Sequence, residues 1–376
     1  MTTPRRVLVV GGGAAGNAAT ILLRRAGLPV DLVEAKADWN ATTGSGITLQ
    51  GNALRVLREL GVWDEVSASG YGFGSLGVTA PDGTVIHENE DIRTGGEDLP
   101  ATLGMRRPRL QQILIDAVRA SGAAVRLGTT ARALEQHADG VSVDFSDGTR
   151  GRYDLVIAAD GLNSATRAAI GIADKPEPTG MAIWRAPAPR PAGVTRTDLA
   201  YGGPAYIAGY CPTGENTIYA YVVEANRDRA TIPPETYADE MCRLARVYGG
   251  VWPEIVEHIT DPAQVNYTWF DQLLVEGSWH RGRVVLVGDA AHCCPPTIAQ
   301  GAAQSLEDAS VLAELLTSGR DWGDDLFQAY YERRIPRVRT VVEASVQIGQ
   351  WQLDGVRDAD VPGLISRTMN LLKELP

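Results

Sequence analysis

The stretch from Arg6 to Glu34 limits the fold more than any other part of the chain. Val7-Leu8-Val9-Val10 leads into Gly11-Gly12-Gly13-Ala14-Ala15-Gly16. An unbroken apolar run of this kind suits a parallel strand buried on both faces. Gly11, Gly13 and Gly16 stand at G-x-G-x-x-G spacing. Ala18, Ala19, Ile21, Leu22 and Leu23 continue as a helix packed on the sheet, Gly27 is its C-terminal cap, and Val30 to Val33 form a second strand. Each glycine has a physical reason. The first permits a tight turn, the second removes a side chain where a pyrophosphate approaches the backbone, and the third lets helix and strand pack closely. The helix N-terminus offers free N–H groups and a partial positive charge to phosphate. Glu34 ends the second strand as an acceptor for ribose hydroxyls. The glycine motif alone is weak evidence. With the strand, the helix and an acid about 20 residues on, it predicts a dinucleotide site rather than an ordinary glycine-rich turn.

The 376-residue chain is long enough for two domains, or for one with a large insertion. Its 35 Lys and Arg against 46 Asp and Glu give a formal net charge of −11, which argues against nucleic acid or an anionic membrane surface as the main partner. No apolar run reaches the ~20 residues of a membrane span, and no hydrophobic leader precedes the first strand. Cys211, Cys242, Cys293 and Cys294 contain no C-x-x-C spacing, so free thiols in a reducing cytoplasm and no metal site are expected.

Further along, Leu54, Leu57 and Leu60 share one helical face, and Pro81-Asp82-Gly83 marks a hairpin. Gly104 to Leu110 leads into a helix through Val118, and Val125 to Leu127 reads as a strand. Val141 to Phe145 and Tyr153 to Ala158 flank Asp147-Gly148 as a second hairpin, whose latter strand delivers Asp160-Gly161. From about residue 178 the character changes. Pro187, Pro189 and Pro191 predict a turn or sheet edge. Leu199 to Tyr210 and Thr217 to Val223 read as tyrosine-rich strands, and Glu235 to Tyr248 as a helix. Val284 to Gly288 returns as a buried strand ending in Asp289, followed by a helix from about Gly301 to Leu316. Leu326 to Leu375 reads as mostly helical, with breaks at Pro336 and Pro362.

Three signatures therefore occur in order: the N-terminal glycine fingerprint, Asp160-Gly161 at a strand end, and Gly282-Arg-Val-Val-Leu-Val-Gly288-Asp289-Ala-Ala-His292. Together they resemble the single-component, class A FAD-dependent monooxygenases of the para-hydroxybenzoate hydroxylase fold group. The run Ile298-Ala-Gln-Gly-Ala-Ala-Gln-Ser-Leu-Glu-Asp-Ala309 is most similar to the salicylate hydroxylase branch. Gly46-Ile-Thr-Leu with Asn52-Ala53, and Arg107 with Leu110, also match. The resemblance covers roughly residues 5 to 345 and is thinnest across 178 to 270.

The resemblance implies an α/β fold: a Rossmann-like FAD-binding domain (1–71, 101–177 and 275–320), an inserted sheet-based substrate domain (72–100 and 178–274) and a helical C-terminus (321–376). It implies that Gly11, Gly13, Ala14, Ala15 and Gly16 cradle the FAD pyrophosphate, with Glu34 on the adenosine ribose, Arg107 as countercharge and Ala131 at the adenine. Gly46 lies at the flavin, Asp289 accepts from the ribityl chain, and Asp160 sits where FAD and the nicotinamide cofactor meet. After Pro295-Pro296, a helix N-terminus aimed at the flavin would stabilise its reduced anion by about 0.3–2 kcal/mol. Ala299, Gln300, Gly301 and Ala302 are the residues whose backbones would meet the ring, and Pro296 lines the substrate side. Where many members carry an arginine before the Gly46 stretch, Thr42 and Thr43 stand here.

Several residues carry two readings. His292 reads as a structural residue rather than a base, and Cys293 and Cys294 as small apolar fillers. Arg334, Arg337 and Arg339 read as a solvated or salt-bridged helix face. Tyr201, Tyr206, Tyr210, Tyr219 and Tyr221 read as packing residues, one face of which could line an aromatic pocket. Trp184, Arg185, Tyr201 and Tyr219 are the substrate candidates. The expected enzyme, a monomer or homodimer, hydroxylates a small aromatic or heterocyclic substrate with dioxygen and NADH or NADPH through a flavin hydroperoxide, by a base the residues do not name. Epoxidation, Baeyer–Villiger oxidation and a non-catalytic dinucleotide sensor stay open. A flavin halogenase does not, since its Trp-x-Trp-x-Ile-Pro motif is absent and Trp184 is followed by Arg-Ala-Pro.

Overall fold

The computed structural model describes residues 5–41 and 46–376. The positions of Thr42 and Thr43 lie outside the described residues. The Val7–Val10 strand is buried on both faces and sits inside a six-stranded sheet. Parallel to it, Val30–Glu34 pairs on one side and Leu155–Ala158 on the other. Ala124–Leu127 and Val284–Leu286 extend the sheet outward, and His280–Arg281 ends it in antiparallel sense. Alternate residues of the first strand serve two cores. Val7 and Val9 face helices α1 (Ala14–Arg25), α2 (Gly51–Glu59), α3 (Trp63–Ser69) and α4 (Arg107–Ala120) in one large apolar cluster. Leu8 and Val10 face Val141, Val143, Phe145 and Tyr153 of a three-stranded meander, Ala131–His137, Gly140–Phe145 and Arg150–Tyr153.

That meander corrects the second hairpin. Asp147-Gly148 does turn the chain, but Gly140–Phe145 pairs only as far as Tyr153. Leu155–Ala158 is a separate strand of the large sheet. Asp154 marks the change: its backbone N–H is already bonded to the Arg6 carbonyl, which begins the parallel ladder. The short α5 (Ala165–Ala169) follows.

The second large sheet has eight strands in the order His292–Cys293, Asn266–Leu274, Glu177–Pro189, Thr217–Ala225, Ile207–Gly214, Thr197–Ala200, Ser75–Thr79 and Val85–Glu90. One face is covered by α6 (Tyr237–Ala245) and α7 (Trp252–Glu257). One sequence expectation is met here and one changes. Of the turn or sheet edge expected at the prolines, Pro187 and Pro189 take the edge, inside a 13-residue strand. They are tolerated because the Asn266–Leu274 strand pairs no further than Arg185, leaving that side of the strand free as an edge. The expected strand Leu199 to Tyr210 is two strands, broken at 201–206, where Gly202 turns at φ +87°. A small sheet of Ile47–Gln50, Thr102–Met105 and Tyr71–Phe73 bridges to the eight-stranded one, where Gly104 lies so close that a Cβ on it would sit 2.0 Å from the Pro212 carbonyl oxygen.

The chain ends in α8 (Gly301–Thr317), α9 (Asp324–Leu353) and α10 (Val361–Leu371). Pro362 stands in the first turn of α10, where a missing N–H costs nothing. Pro336 does not break α9, which runs through it for 30 residues. Its ring is on the exposed side, while Arg334, Ile335, Arg337 and Val338 anchor both flanking turns in the interior. Restoring an N–H there without removing a packed contact makes Pro336→Ala stabilising, by about 1–2 kcal/mol in urea unfolding. A loss of stability would contradict a continuous helix.

Candidate active site

The C-terminal ends of Val7–Val10 and Leu155–Ala158 lie side by side where the strand order reverses, the crevice in which open α/β sheets bind ligands. The backbones approach too closely for side chains. A Cβ on Gly11 (φ +105°) would lie 2.3 Å from the Ala159 carbonyl oxygen, and one on Gly16 would lie 1.9 Å from the Gly11 carbonyl oxygen. A Cβ on Gly13 would meet nothing within 4 Å, and the same holds for Gly161 and Gly301. The first and third glycines of the motif are thus demanded by packing, and the second opens onto the cleft. Ala14 and Ala15 start α1 directly behind it.

The Gly12 peptide is fixed by Glu34 and by three side chains that the sequence reading missed. Its N–H donates to Glu34 Oε2 (2.8 Å). Its carbonyl accepts from Trp39 Nε1 (2.9 Å), Asn17 Nδ2 (3.0 Å) and Gln111 Nε2 (2.8 Å). Gln111 had a signal, since it lies four residues after Arg107 on the same helical face; Trp39 had none. Glu34 also accepts from the Lys36 N–H (2.9 Å). The Thr129 N–H donates to the Glu34 carbonyl (2.9 Å), which brings the start of the Ala131–His137 strand beside it.

At the other end of the cleft, Asp289 rides on a turn after Val284–Leu286. It keeps access to solvent although protein surrounds it, as at the foot of a cleft. Burial pushes its carboxyl up, while His292 and the charge of Arg107 pull it part of the way back. Arg107, exposed at the start of α4, thus acts on the same space. Ala299 is the one non-glycine residue with positive φ (+54°) among those described, and Gln300 caps α8 with its side chain wholly buried. Gly301 and Ala302 begin the helix, and Pro296 is exposed in the single turn before it. Asp160 uses its carboxylate locally, accepting from the Ser164 hydroxyl and from the Thr166 N–H (2.9 Å), and so fixes the turn that carries Gly161.

The second sheet separates the substrate candidates. Trp184 is fully buried on the face covered by α6 and α7. It packs on Tyr267 and meets Tyr237 edge-on, and its Nε1 donates to Glu224 (2.7 Å). It cannot line the cleft. Period-2 alternation turns Arg185 the other way, toward Tyr219, Tyr221 and Arg107. The Arg185 guanidinium donates to Thr268 Oγ1 (2.8 Å) and has no carboxylate partner among the described residues. Burial lowers its pKa to about 10. Tyr219 packs on Gly46, where a Cβ would lie 2.0 Å from its ring, and its hydroxyl pairs with Thr48 Oγ1 (2.9 Å). Tyr221 stacks on Tyr219, and Tyr201 and Tyr206 join the same side. Tyr210 is on the opposite face, against Trp252. Burial pushes the Tyr219 and Tyr221 hydroxyls well up and Tyr201 to about 12, so all three stay protonated at neutral pH.

His292 is structural, as expected. It is buried, stacked on Trp279 and bonded through Nε2 to Asp308 (2.6 Å). Cys293 and Cys294 are half-buried fillers, with burial pushing Cys294 to about 12. Of the solvated or salt-bridged face expected for Arg334 and Arg337, the salt-bridged alternative holds, but in the interior. Both are buried; Arg334 pairs with Glu307 and Asp308 of α8, and Arg337 with Glu307. Only Arg339 is a surface pair, with Glu276.

A dinucleotide crevice closed by a second sheet with aromatic side chains defines a nucleotide-dependent oxidoreductase. The chain belongs to the FAD binding domain family, whose model matches residues 5–345, and is an FAD-dependent monooxygenase of the class A, salicylate hydroxylase-like kind. YetM of Bacillus subtilis (strain 168), which carries a provisional designation as an FAD-dependent monooxygenase, is 31% identical over 374 residues, spanning 98% of this chain and 99% of its own. The 3-amino-4-hydroxybenzoate 2-monooxygenase of Streptomyces cremeus is 31% identical, spanning 89% of this chain and 84% of its own. The fold matches Klebsiella pneumoniae HpxO complexed with FAD and uric acid at a TM-score of 0.83, with 23% identity over 98% of this chain and 92% of that one. The residues present fit FAD: a side-chain-free cradle at Gly13, an acid above the glycine turn, and a second acid and a helix N-terminus across the cleft. No helix among the described residues is long and apolar enough to cross a membrane.

Two outcomes follow from this geometry. Gly16→Ala drives a methyl into the Gly11 carbonyl, so the purified variant is expected to lack the flavin absorbance bands and to lose about 1–3 kcal/mol. Retained flavin at wild-type occupancy would contradict the close approach. Arginines and His292 hold the Asp308 and Glu307 carboxyls below the usual range against the opposing effect of burial. Depressed acids stabilise the fold above the ordinary carboxylate range and lose that contribution as pH falls through their lowered values. Urea midpoints should therefore fall on acidification below about pH 4, and fall less steeply in Asp308→Asn.

Proposed function

We propose that this enzyme uses NADH or NADPH and dioxygen to hydroxylate a small aromatic or heteroaromatic compound that binds as an anion against Arg185. The observation that carries this is the inward-facing, half-buried guanidinium, which has no carboxylate partner among the described residues. A cation withdrawn from water with one neutral hydroxyl partner is costly to the free protein, and a ligand carboxylate or ring oxyanion removes that cost. The protonated Tyr219 and Tyr221 hydroxyls beside it can donate but not accept a proton at neutral pH, which favours the same ligand. Their rings give a flat surface for an aromatic system. The substrate in the name of the Streptomyces relative, an aminohydroxybenzoate, has this chemistry.

In this reading Gly11, Gly13 and Gly16, with the N–H groups of Ala14 and Ala15, hold the pyrophosphate of FAD, and Arg107 balances its charge. Glu34 takes the adenosine ribose, Ala131 the adenine and Asp289 the ribityl hydroxyls. Gly46 brings bare backbone to the ring system. The N–H groups at Ala299, Gln300, Gly301 and Ala302 face its pyrimidine end, and Pro296 stiffens the substrate side. Asp160 acts through the turn it caps, leaving Gly161 open for the nicotinamide. Bound FAD supplies the hydride acceptance and the activation of dioxygen, while the protein supplies position, charge and exclusion of water.

The direct test is NAD(P)H consumption across an aromatic library, with product mass. Stimulation by hydroxylated acids and a product heavier by one oxygen are expected. Flavin that never bleaches under NAD(P)H with any ligand would leave a non-catalytic binding protein. Arg185→Met should raise KM for anionic substrates about 10- to 100-fold, the worth of a charge-assisted hydrogen bond, with a smaller effect on kcat. Equal losses for neutral and anionic substrates would refute the assignment.

A further inference from the structure

Arg334 projects from α9 and touches none of the cleft, yet it is fully buried and directs four hydrogen bonds at one side of α8. Nε donates to Asp308 Oδ1 (2.7 Å), Nη1 to Glu307 Oε2 (3.0 Å), and Nη2 to the side-chain and main-chain oxygens of Gln304 (2.8 and 3.2 Å). Two of these acceptors lead to the cleft by separate routes. The second Asp308 oxygen accepts from the Gly288 N–H (2.8 Å) and from His292 Nε2 (2.6 Å), and so grips both ends of the turn that presents Asp289. Gln304 Nε2 donates to Gln300 Oε1 (3.1 Å). That oxygen also accepts from Asn52 Nδ2 (3.1 Å), and Gln300 Nε2 donates back to Asn52 Oδ1 (3.2 Å). The cap of α8 is therefore locked next to Ala299, whose left-handed backbone persists only when its surroundings fix it.

Packing alone does not require this arrangement. Leu306, Ala309 and Leu312 of α8 and Val338 of α9 already belong to one buried apolar cluster. Buried ion clusters can often be exchanged for apolar residues without loss of stability. What a planar guanidinium adds is direction, since its forked donors fix several acceptors at once in a way an ammonium does not.

We propose that Arg334 is a positioning residue for the flavin. Through Asp308 and Gln304 it holds the Asp289 turn and the Ala299–Ala302 segment in register with each other. The inference rests on the proposal that these two segments contact FAD.

The test uses the full-length, FAD-loaded enzyme and three readouts: the urea midpoint, the FAD dissociation constant from flavin fluorescence, and the flavin midpoint potential. Arg334→Lys keeps the charge but not the fork. It is expected to weaken FAD binding about tenfold or more, the worth of one oriented charge-assisted bond, and to lower the potential as the α8 N-terminus turns from the ring. Gln304→Leu leaves the ion pairs intact and should lower the potential with little change in affinity, so the proposal stays testable if the Arg334 variant does not fold. Asp289→Asn separates the two layers. If it leaves FAD affinity unchanged, the assignment of the cradle fails. If it weakens FAD while Arg334→Lys and Gln304→Leu change stability alone, the cradle stands and the positioning role is overturned.

Discussion

Everything in this molecule depends on two polypeptide backbones coming closer than side chains allow. Where Val7–Val10 and Leu155–Ala158 end, Gly11 lies against Ala159 and Gly16 against Gly11. That contact sets α1 down on the sheet and places its first N–H groups at the crevice. The surrounding polar groups keep the turn in one conformation. Glu34, Trp39, Asn17 and Gln111 all converge on the single Gly12 peptide. A turn made of main chain has no side chains of its own to adjust. Its precision comes from the packing beneath it and the hydrogen bonds around it.

The opposite wall is organised differently. Asp289 and the start of α8 are supplied by segments that meet through a buried polar cluster contributed by α2, α8 and α9. Glu307 alone accepts from Arg55, Arg334 and Arg337, and Arg337 also donates to the Leu371 and Leu372 carbonyls at the end of α10. The C-terminal helices are thus tied to the cofactor side of the molecule by charge as well as by apolar contact. The eight-stranded sheet adds the third wall, with one cation and several protonated phenols directed inward.

Much of this was legible in the sequence, for physical reasons that differ by element. The nucleotide half was readable because each device in it is local: a glycine spacing, an apolar run, an acid at a strand end. The α8 helix was readable from its length and composition. Long-range facts were not. Which side of Glu177–Pro189 meets the cleft depends on the helices that cover the other side, so Trp184 and Arg185 could not be told apart by alternation alone. Leu155–Ala158 was merged with its neighbour because strand propensity does not reveal a change of sheet. Arg334 and Arg337 did leave a trace. They occupy positions of the apolar stripe that runs through Phe327, Tyr330, Val338 and Val341, and Glu307 and Asp308 lie between the buried Leu306 and Ala309 of α8. Charges at stripe positions on two helices are a pairing signal; read one helix at a time, they left a solvated face and a salt-bridged one both open. Pro336 misled for the complementary reason, because tertiary anchoring overrode a local penalty.

The contact between Tyr219 and Gly46 reaches beyond catalysis. The ring lies flush on main chain from the other half of the molecule, its hydroxyl is shared with Thr48, and nearby Gly104 meets Pro212 with equal closeness. The two sheets are therefore machined to one another at this seam. A hybrid enzyme made by grafting strands 207–225 from a homologue would inherit a mismatched seam unless positions 46, 48 and 104 travelled with the graft, so the natural unit of exchange is the interface and not the sheet.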